Sequence, residues 1–281
     1  MKELIDRGIV PDEISSEKLL SGGTMSKLVL LEFHDGSKKV VKYNSPAVTR
    51  SEAMFLEKYQ SIKLLPRLYY VDPSYEFLMY SFIEGAVSFR EINKAEALKD
   101  LVNKQINHYQ KTESFEGWGW ADEPSSSWNE FLINAIEQAS VIIGDKLPLE
   151  DAEWTKKLAL EHKIGDTPFL LHGDCGFHNF IFRDGKLSGV IDPIPVYGEP
   201  VYDLIYAFCS TPHDLTKDVI NSAASLLIHG KSVHGLYKEV AVGLYLRIAA
   251  CIKHHPDDLE RYLDSWSYWK KLIEQKKASS S

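Results

Sequence analysis

His172-Gly173-Asp174, with Asn179 five residues after the aspartate and Asp192 at the end of a following hairpin, constrains this chain more than any other stretch. Leu170-Leu171 supplies an apolar strand. Phe180-Ile181-Phe182 and Leu187 to Ile191 supply two more, with Asp184-Gly185 between them. Asp-Gly between two apolar runs signals a tight hairpin, because glycine tolerates a positive φ. Asp174, Asn179 and Asp192 are therefore expected together at one end of a small sheet. Two carboxylates and an amide oxygen are hard-oxygen donors suited to Mg2+, with one carboxylate left over as a base. That set is the working end of a phosphoryl-transfer enzyme.

Continued by Gly198-x-Pro200-x-x-Asp203-Leu204, the motif resembles the aminoglycoside phosphotransferase and choline-kinase branch of the protein-kinase-like fold. His172-Gly173-Asp174 stands where protein kinases carry His-Arg-Asp, and Asp192-Pro193 stands where they carry Asp-Phe-Gly. The resemblance implies an α+β, two-lobed fold. Residues 1–84 would form an N-terminal nucleotide-binding lobe, a five-stranded antiparallel sheet plus a helix. Residues 85–281 would form a mainly helical C-terminal lobe that carries the catalytic hairpin and binds substrate. It implies ATP and Mg2+ as cofactors, and transfer of the γ-phosphate to a hydroxyl of a small molecule. Asp174 is then the catalytic base, Asn179 and Asp192 are the metal ligands, and His172 and Asp203 support the loop. An aminoglycoside-like antibiotic is the favoured acceptor. Choline, homoserine, methylthioribose or a sugar is the alternative, and a catalytically silent nucleotide-binding module is another. A protein kinase is disfavoured by Asp192-Pro193 and by the lack of an Ala-Pro-Glu element after it.

Residues 16–43 read as three strands joined by two turns, the first at Ser21-Gly22-Gly23-Thr24 and the second at His34-Asp35-Gly36-Ser37. A glycine-rich turn between strands can set backbone N–H groups over phosphates. Ser21, Gly22, Gly23 and Thr24 are expected in that role because Lys42 follows them at the end of an apolar strand. The resemblance assigns Lys42 to the α- and β-phosphates and gives it Glu52 as ion-pair partner, in a helix opened by Ser45-Pro46. Glu57, further along that helix, is the rival partner, and Thr49 to Glu52 also reads as a capping box. Residues 66–71 and 75–82 read as two more strands. The resemblance makes the segment after them the hinge, with adenine on the backbone of Ser81, Phe82 and Ile83 and Tyr80 behind it.

From Asn93 the pattern turns helical, with Leu98, Leu101, Val102, Ile106 and Tyr109 on one stripe. Phe115 to Trp120 reads as an aromatic loop, Ser127 to Glu130 as a capping box opening a helix, and Leu149 to His162 as a further helix. Three helices are expected after Asp203: one capped by Asp214 and ending at His229-Gly230, one over 233–254 and one over 257–276. The last carries Asp257 and Glu260 on one face with Asp258 beside them, and Trp266, Tyr268 and Trp269 follow. These three carboxylates are candidate contacts for a cationic acceptor. An acidic first turn matched to the helix dipole is the competing reading.

A net charge of −8 argues against nucleic acid or anionic membrane as the partner. No apolar run is long enough to span a bilayer, and Met1 to Arg7 is charged rather than signal-like. Cys175, Cys209 and Cys251 are widely separated and form neither a disulfide framework nor a metal spacing. A cytoplasmic protein that binds a small molecule is expected, with Cys175 a buried thiol rather than a nucleophile.

Overall fold

The computed structural model describes residues 4–5, 7–10, 14–20, 26–86, 92–161, 165–229 and 232–278. The expected phosphate turn, Ser21, Gly22, Gly23 and Thr24, lies outside the described residues.

The first half of the fold is an antiparallel sheet of five strands. They are β1 (Ile14–Leu20), β2 (Lys27–Phe33), β3 (Lys38–Tyr43), β4 (Leu68–Val71) and β5 (Phe77–Ser81), in the order β1-β2-β3-β5-β4. Alternation along β3 divides its side chains between two cores. Val41 joins Val29, Leu31, Phe77 and Met79 on one face. Val40 joins Leu30, Leu78 and Tyr80 on the other, which is continuous with the core of the second half. Lys42, two residues from Val40, points the same way. Helix α1 (Pro46–Lys58) follows, opened by Pro46 after an N-cap Ser45 that makes no side-chain cap bond. Thr49 is no cap either: its amide bonds the Ser45 carbonyl within the first turn.

The second half contains α2 (Lys94–Lys104), α3 (Trp128–Ile143), α4 (Leu149–Leu160), α5 (Val201–Cys209), α6 (Lys217–Ala224), α7 (Val233–His254) and α8 (Leu259–Ala278). Caps set their starts where expected: Asn93 accepts from the Glu96 amide at 3.2 Å, and Ser127 from the Glu130 amide at 3.1 Å. Three expectations fail. Asp214 does not cap α6, since its φ is +53° and the N-cap is Thr216. The same helix ends at Ala224, short of His229-Gly230. Asp257 and Asp258 do not belong to α8 but to a 3-10 turn before it, where Pro256 interrupts the approach.

Two small sheets hold the centre. Strands β8 (Phe180–Arg183) and β9 (Lys186–Val190) form the expected hairpin around Asp184-Gly185, both in positive φ. Strands β6 (Gly119–Trp120), β7 (Phe169–Leu171) and β10 (Val196–Gly198) form a second sheet in the order β6-β10-β7. The aromatic segment expected as loop thus contributes a short edge strand to this sheet, with β10 between it and the strand that delivers His172. These elements make the two-lobed protein-kinase-like fold, with Ala86 bridging to Phe182 where the halves meet.

Candidate active site

Lys42 is almost wholly buried, and its Nζ lies 2.7 Å from Glu52 Oε2. The same ammonium contacts Asp192 Oδ1. Burial opposes its charge, but Glu52 and then Asp192 outweigh that cost and hold its pKa above the ordinary lysine value. Burial also raises the Glu52 carboxyl, and Lys42 pulls it back. Glu57 is exposed on the opposite face of α1. Helix α1 is fixed against strand β7 from within: Tyr59, just past its end, donates to the Leu170 carbonyl at 2.7 Å, and Phe55 meets the His172 ring edge-on at 5.7 Å. The helix that carries Glu52 and the strand that leads to Asp174 therefore cannot shift independently.

The loop after β7 is bound by one buried carboxylate. Asp203 accepts from the His172 amide at 2.8 Å, the Gly173 amide at 3.0 Å and the Tyr109 hydroxyl at 2.7 Å. Burial pushes its pKa up to about 6, against the pull of those three donors. Gly173 has φ +81°, and a Cβ there would lie 1.8 Å from the Ile194 carbonyl oxygen. The His172 ring donates from Nε2 to the Ile191 carbonyl at 3.1 Å, and the Ile194 amide bonds the His172 carbonyl at 2.9 Å. The segment bearing Asp192 is thereby latched to the segment bearing Asp174. Asp192 itself has φ +64°, which turns it out of the strand direction.

Asp174 is part-buried and carries three side-chain contacts. Asn179 Nδ2 donates to its Oδ2 at 2.9 Å, His178 Nε2 lies 3.2 Å away, and the Tyr206 hydroxyl donates to Oδ1. Burial works to raise its pKa, but His178 and Tyr206 prevail and hold the carboxyl below its usual value. His178 and Tyr206 are contacts that the motif reading missed. Tyr206 carries a weak signal, being one turn beyond Asp203 on a helix already assigned. His178 carries none, as a loop position between two motif residues. Cys175 is a buried free thiol whose pKa burial raises, which makes it unreactive.

Asn179 spends its amide nitrogen on Asp174, leaving Oδ1 for another partner, and Asp192 remains two-fifths exposed. Two oxygen donors of this type fit Mg2+, which usually takes one or two protein ligands, with phosphates and water completing its octahedron. No cluster of three His, Cys, Asp or Glu that could hold a metal occurs among the described residues.

Along the hinge, the Ser81 amide bonds the Arg67 carbonyl at 2.9 Å and the Phe82 amide bonds the Lys38 carbonyl at 3.2 Å. Those two donors are spent inside the protein. The Ile83 amide makes no such bond among the described residues, and its side chain lies against Gly189. Of the three expected adenine contacts, only Ile83 offers a vacant donor.

A cavity of about 500 Å³ opens beside Tyr206, the donor to Asp174, lined by Tyr202 and Tyr206 of α5, Trp128 and Leu132 of α3, and a long face of α7. Asp257, Asp258 and Glu260 are not brought to it: Asp257 and Glu260 are exposed, and Asp258 lies 3.9 Å from Arg261.

Residues 74–224 match a phosphotransferase enzyme family. No curated protein matches the chain. Among solved structures, aminoglycoside phosphotransferase APH(4)-Ia with AMP-PNP and hygromycin B is similar at 17% identity and TM-score 0.66, over 95% of this chain and 96% of that one. A structure described as a fructosamine-3-kinase from Thermobifida fusca YX-ER1 is similar at 16% identity and TM-score 0.61, over 91% and 94%. The GDP and kanamycin complex of APH(2")-IIia is similar at 16% identity and TM-score 0.59, over 100% and 99%. At these identities the likeness is one of fold.

Proposed function

The chain belongs to the phosphotransferase enzyme family, and from that premise we propose that it moves the γ-phosphate of ATP to a hydroxyl of a small molecule, using Asp174, Lys42, Glu52, Asn179 and Asp192. The observation that carries this reading is the Lys42 ammonium held between Glu52 and Asp192, with Asp192 latched to the Asp174 loop. A buried cation with two carboxylates is costly unless it serves something, and Asp192, one of the two, keeps about two-fifths of its side chain exposed.

Lys42 binds the α- and β-phosphates, oriented by Glu52. Asn179 and Asp192 would hold Mg2+, which would neutralise phosphate charge during transfer. Ile83 offers adenine its free amide. Asp174 accepts a hydrogen bond from the acceptor hydroxyl and aligns its oxygen with the γ-phosphorus. As the new P–O bond forms, the bond from phosphorus to the leaving ADP oxygen breaks, and the hydroxyl proton passes to Asp174. Its lowered pKa keeps the carboxylate ionised at neutral pH, so it orients first and takes the proton late. His178 and Tyr206 hold it in place, and catalysis is mainly positioning and charge stabilisation. The three buried, unpaired thiols agree with a reducing, cytoplasmic setting.

An aminoglycoside acceptor, and with it a part in antibiotic resistance, draws support from neighbours that hold hygromycin B and kanamycin. Another neighbour is a fructosamine kinase by description. The carboxylates expected to receive amines stand off the cavity, so the aminoglycoside reading rests on fold likeness alone. Incubation with γ-labelled ATP, Mg2+ and a panel of hydroxylated small molecules tests the proposal. It expects a labelled phosphate ester. ATP binding with no ester from any member would favour the silent nucleotide-binding module.

A further inference from the structure

The cavity beside Tyr206 has a charged lining that is unevenly matched. Glu161 takes Lys238 at 2.6 Å, and Glu199 and Glu239 are engaged within the protein. Arg247 differs. Its Nε donates to the Tyr262 hydroxyl at 3.1 Å, and its guanidinium lies over that ring at 5.7 Å. Among the described residues no carboxylate pairs with it, and the Nε bond to Tyr262 is its one hydrogen bond to the protein. A part-buried guanidinium in a wall shared with Leu132, Val242 and Leu246 is costly to desolvate. Four N–H donors in a flat fork remain for whatever enters.

Its position gives that fork a use. Tyr206 lines the same cavity, feels the charge of Arg247, and donates its hydroxyl to Asp174. Asp174 does not itself line the cavity, so a ligand seated there would reach it past Tyr206, with Arg247 on the same wall. We propose that the phosphate acceptor is a hydroxycarboxylic acid, with its hydroxyl on Asp174, its carboxylate on Arg247 and its carbon frame along Leu132, Val242 and Leu246. This rests on the phosphotransferase reading. A carboxylate suits the site better than a phosphate ester, because one guanidinium edge matches a planar pair of oxygens. Lys238, a second lining cation, is about 13 Å away along α7 at 1.5 Å per residue and already paired. The products are ADP and the acid carrying a phosphate on its former hydroxyl oxygen.

The test uses the full chain with Mg2+-ATP and a panel of aliphatic and aromatic hydroxycarboxylic acids, each beside its primary amide and the corresponding amino alcohol. Ester formation is read by mass spectrometry, and binding by tryptophan fluorescence, since Trp128 lines the cavity. The acids are expected to bind and react, with each amide weaker by about 10- to 100-fold. Arg247→Met should erase the difference between acid and amide, and Arg247→Lys should restore part of it. Should Arg247→Met fail to fold, the acid–amide comparison on the wild-type protein decides alone. Amides or amino alcohols accepted as well as the acids would overturn the inference and leave phosphotransfer standing. Arg247-dependent binding of acids with no ester from any compound would uphold Arg247 and sink the transfer reading. Acids neither bound nor phosphorylated overturn the inference.

Discussion

At the scale of single residues, Lys42 joins the two halves of the site, because Glu52 comes from α1 and Asp192 from the segment after β9. Lys42→Met should lower kcat/KM for ATP about 10²-fold or more, as expected when a preorganised charge contact is removed, and Glu52→Ala should do so more mildly. Glu57→Ala should stay near wild type because Glu57 is exposed; steady-state kinetics in which it is the damaging change would break the ion-pair assignment. His172 makes a second prediction, about stability. Burial lowers its pKa from 6.5 to about 4, and its Nδ1 has no hydrogen-bond partner among the described residues. Below pH 6.5 the unfolded chain takes up a proton that the folded chain refuses, so this contribution is whole above 6.5 and lost as pH falls through about 4. The shift corresponds to about 3 kcal/mol. Urea unfolding at neutral pH and near pH 4 should show a smaller acid loss in His172→Gln, and an equal loss in both proteins would exclude His172 as its source.

At the scale of elements, the turn between β7 and the hairpin decides where the acidic groups stand. Gly173→Ala would force a Cβ against the Ile194 carbonyl in a positive-φ position, at a cost of order 1–3 kcal/mol from backbone strain alone. Calorimetry should show weaker Mg2+-ATP binding together with a lower Tm, because the latch between His172 and the Asp192 segment must open. Unchanged affinity would mean the latch does not position Asp192. This hairpin was legible in the sequence because Asp-Gly between apolar runs has a single cheap solution. The sheet of β6, β10 and β7 was not, since strands of two or three residues are too short for a period of two to register. The acidic stretch at 257–260 was misleading for another reason: spacing gives a face but not the neighbour it meets, and Pro256 changes the local backbone. Arg247 was invisible because on a buried helix its charge reads as one more polar interruption.

At the scale of the whole molecule, one continuous core runs from Val40 and Tyr80 of the sheet through Phe55 and Tyr59 of α1 to Leu170, Leu204 and Leu244 of the helical half. The two halves are therefore registered by packing, and in the proposed function Asp174 stands where nucleotide and acceptor meet. The order of motifs along the chain made this architecture readable. The proposed acceptor cavity was not readable, because its wall is drawn from α3, α4, α5 and α7, which come together only in the fold. The most direct measurement compares wild type and Asp174→Ala on one acceptor from the panel, following ester formation from γ-labelled ATP and Mg2+-ATP affinity in the same preparations. Asp174 as the transfer base predicts a fall in turnover on the order of 10²-fold or more with nucleotide affinity nearly unchanged. Ester formation by Asp174→Ala at the wild-type rate would contradict the account.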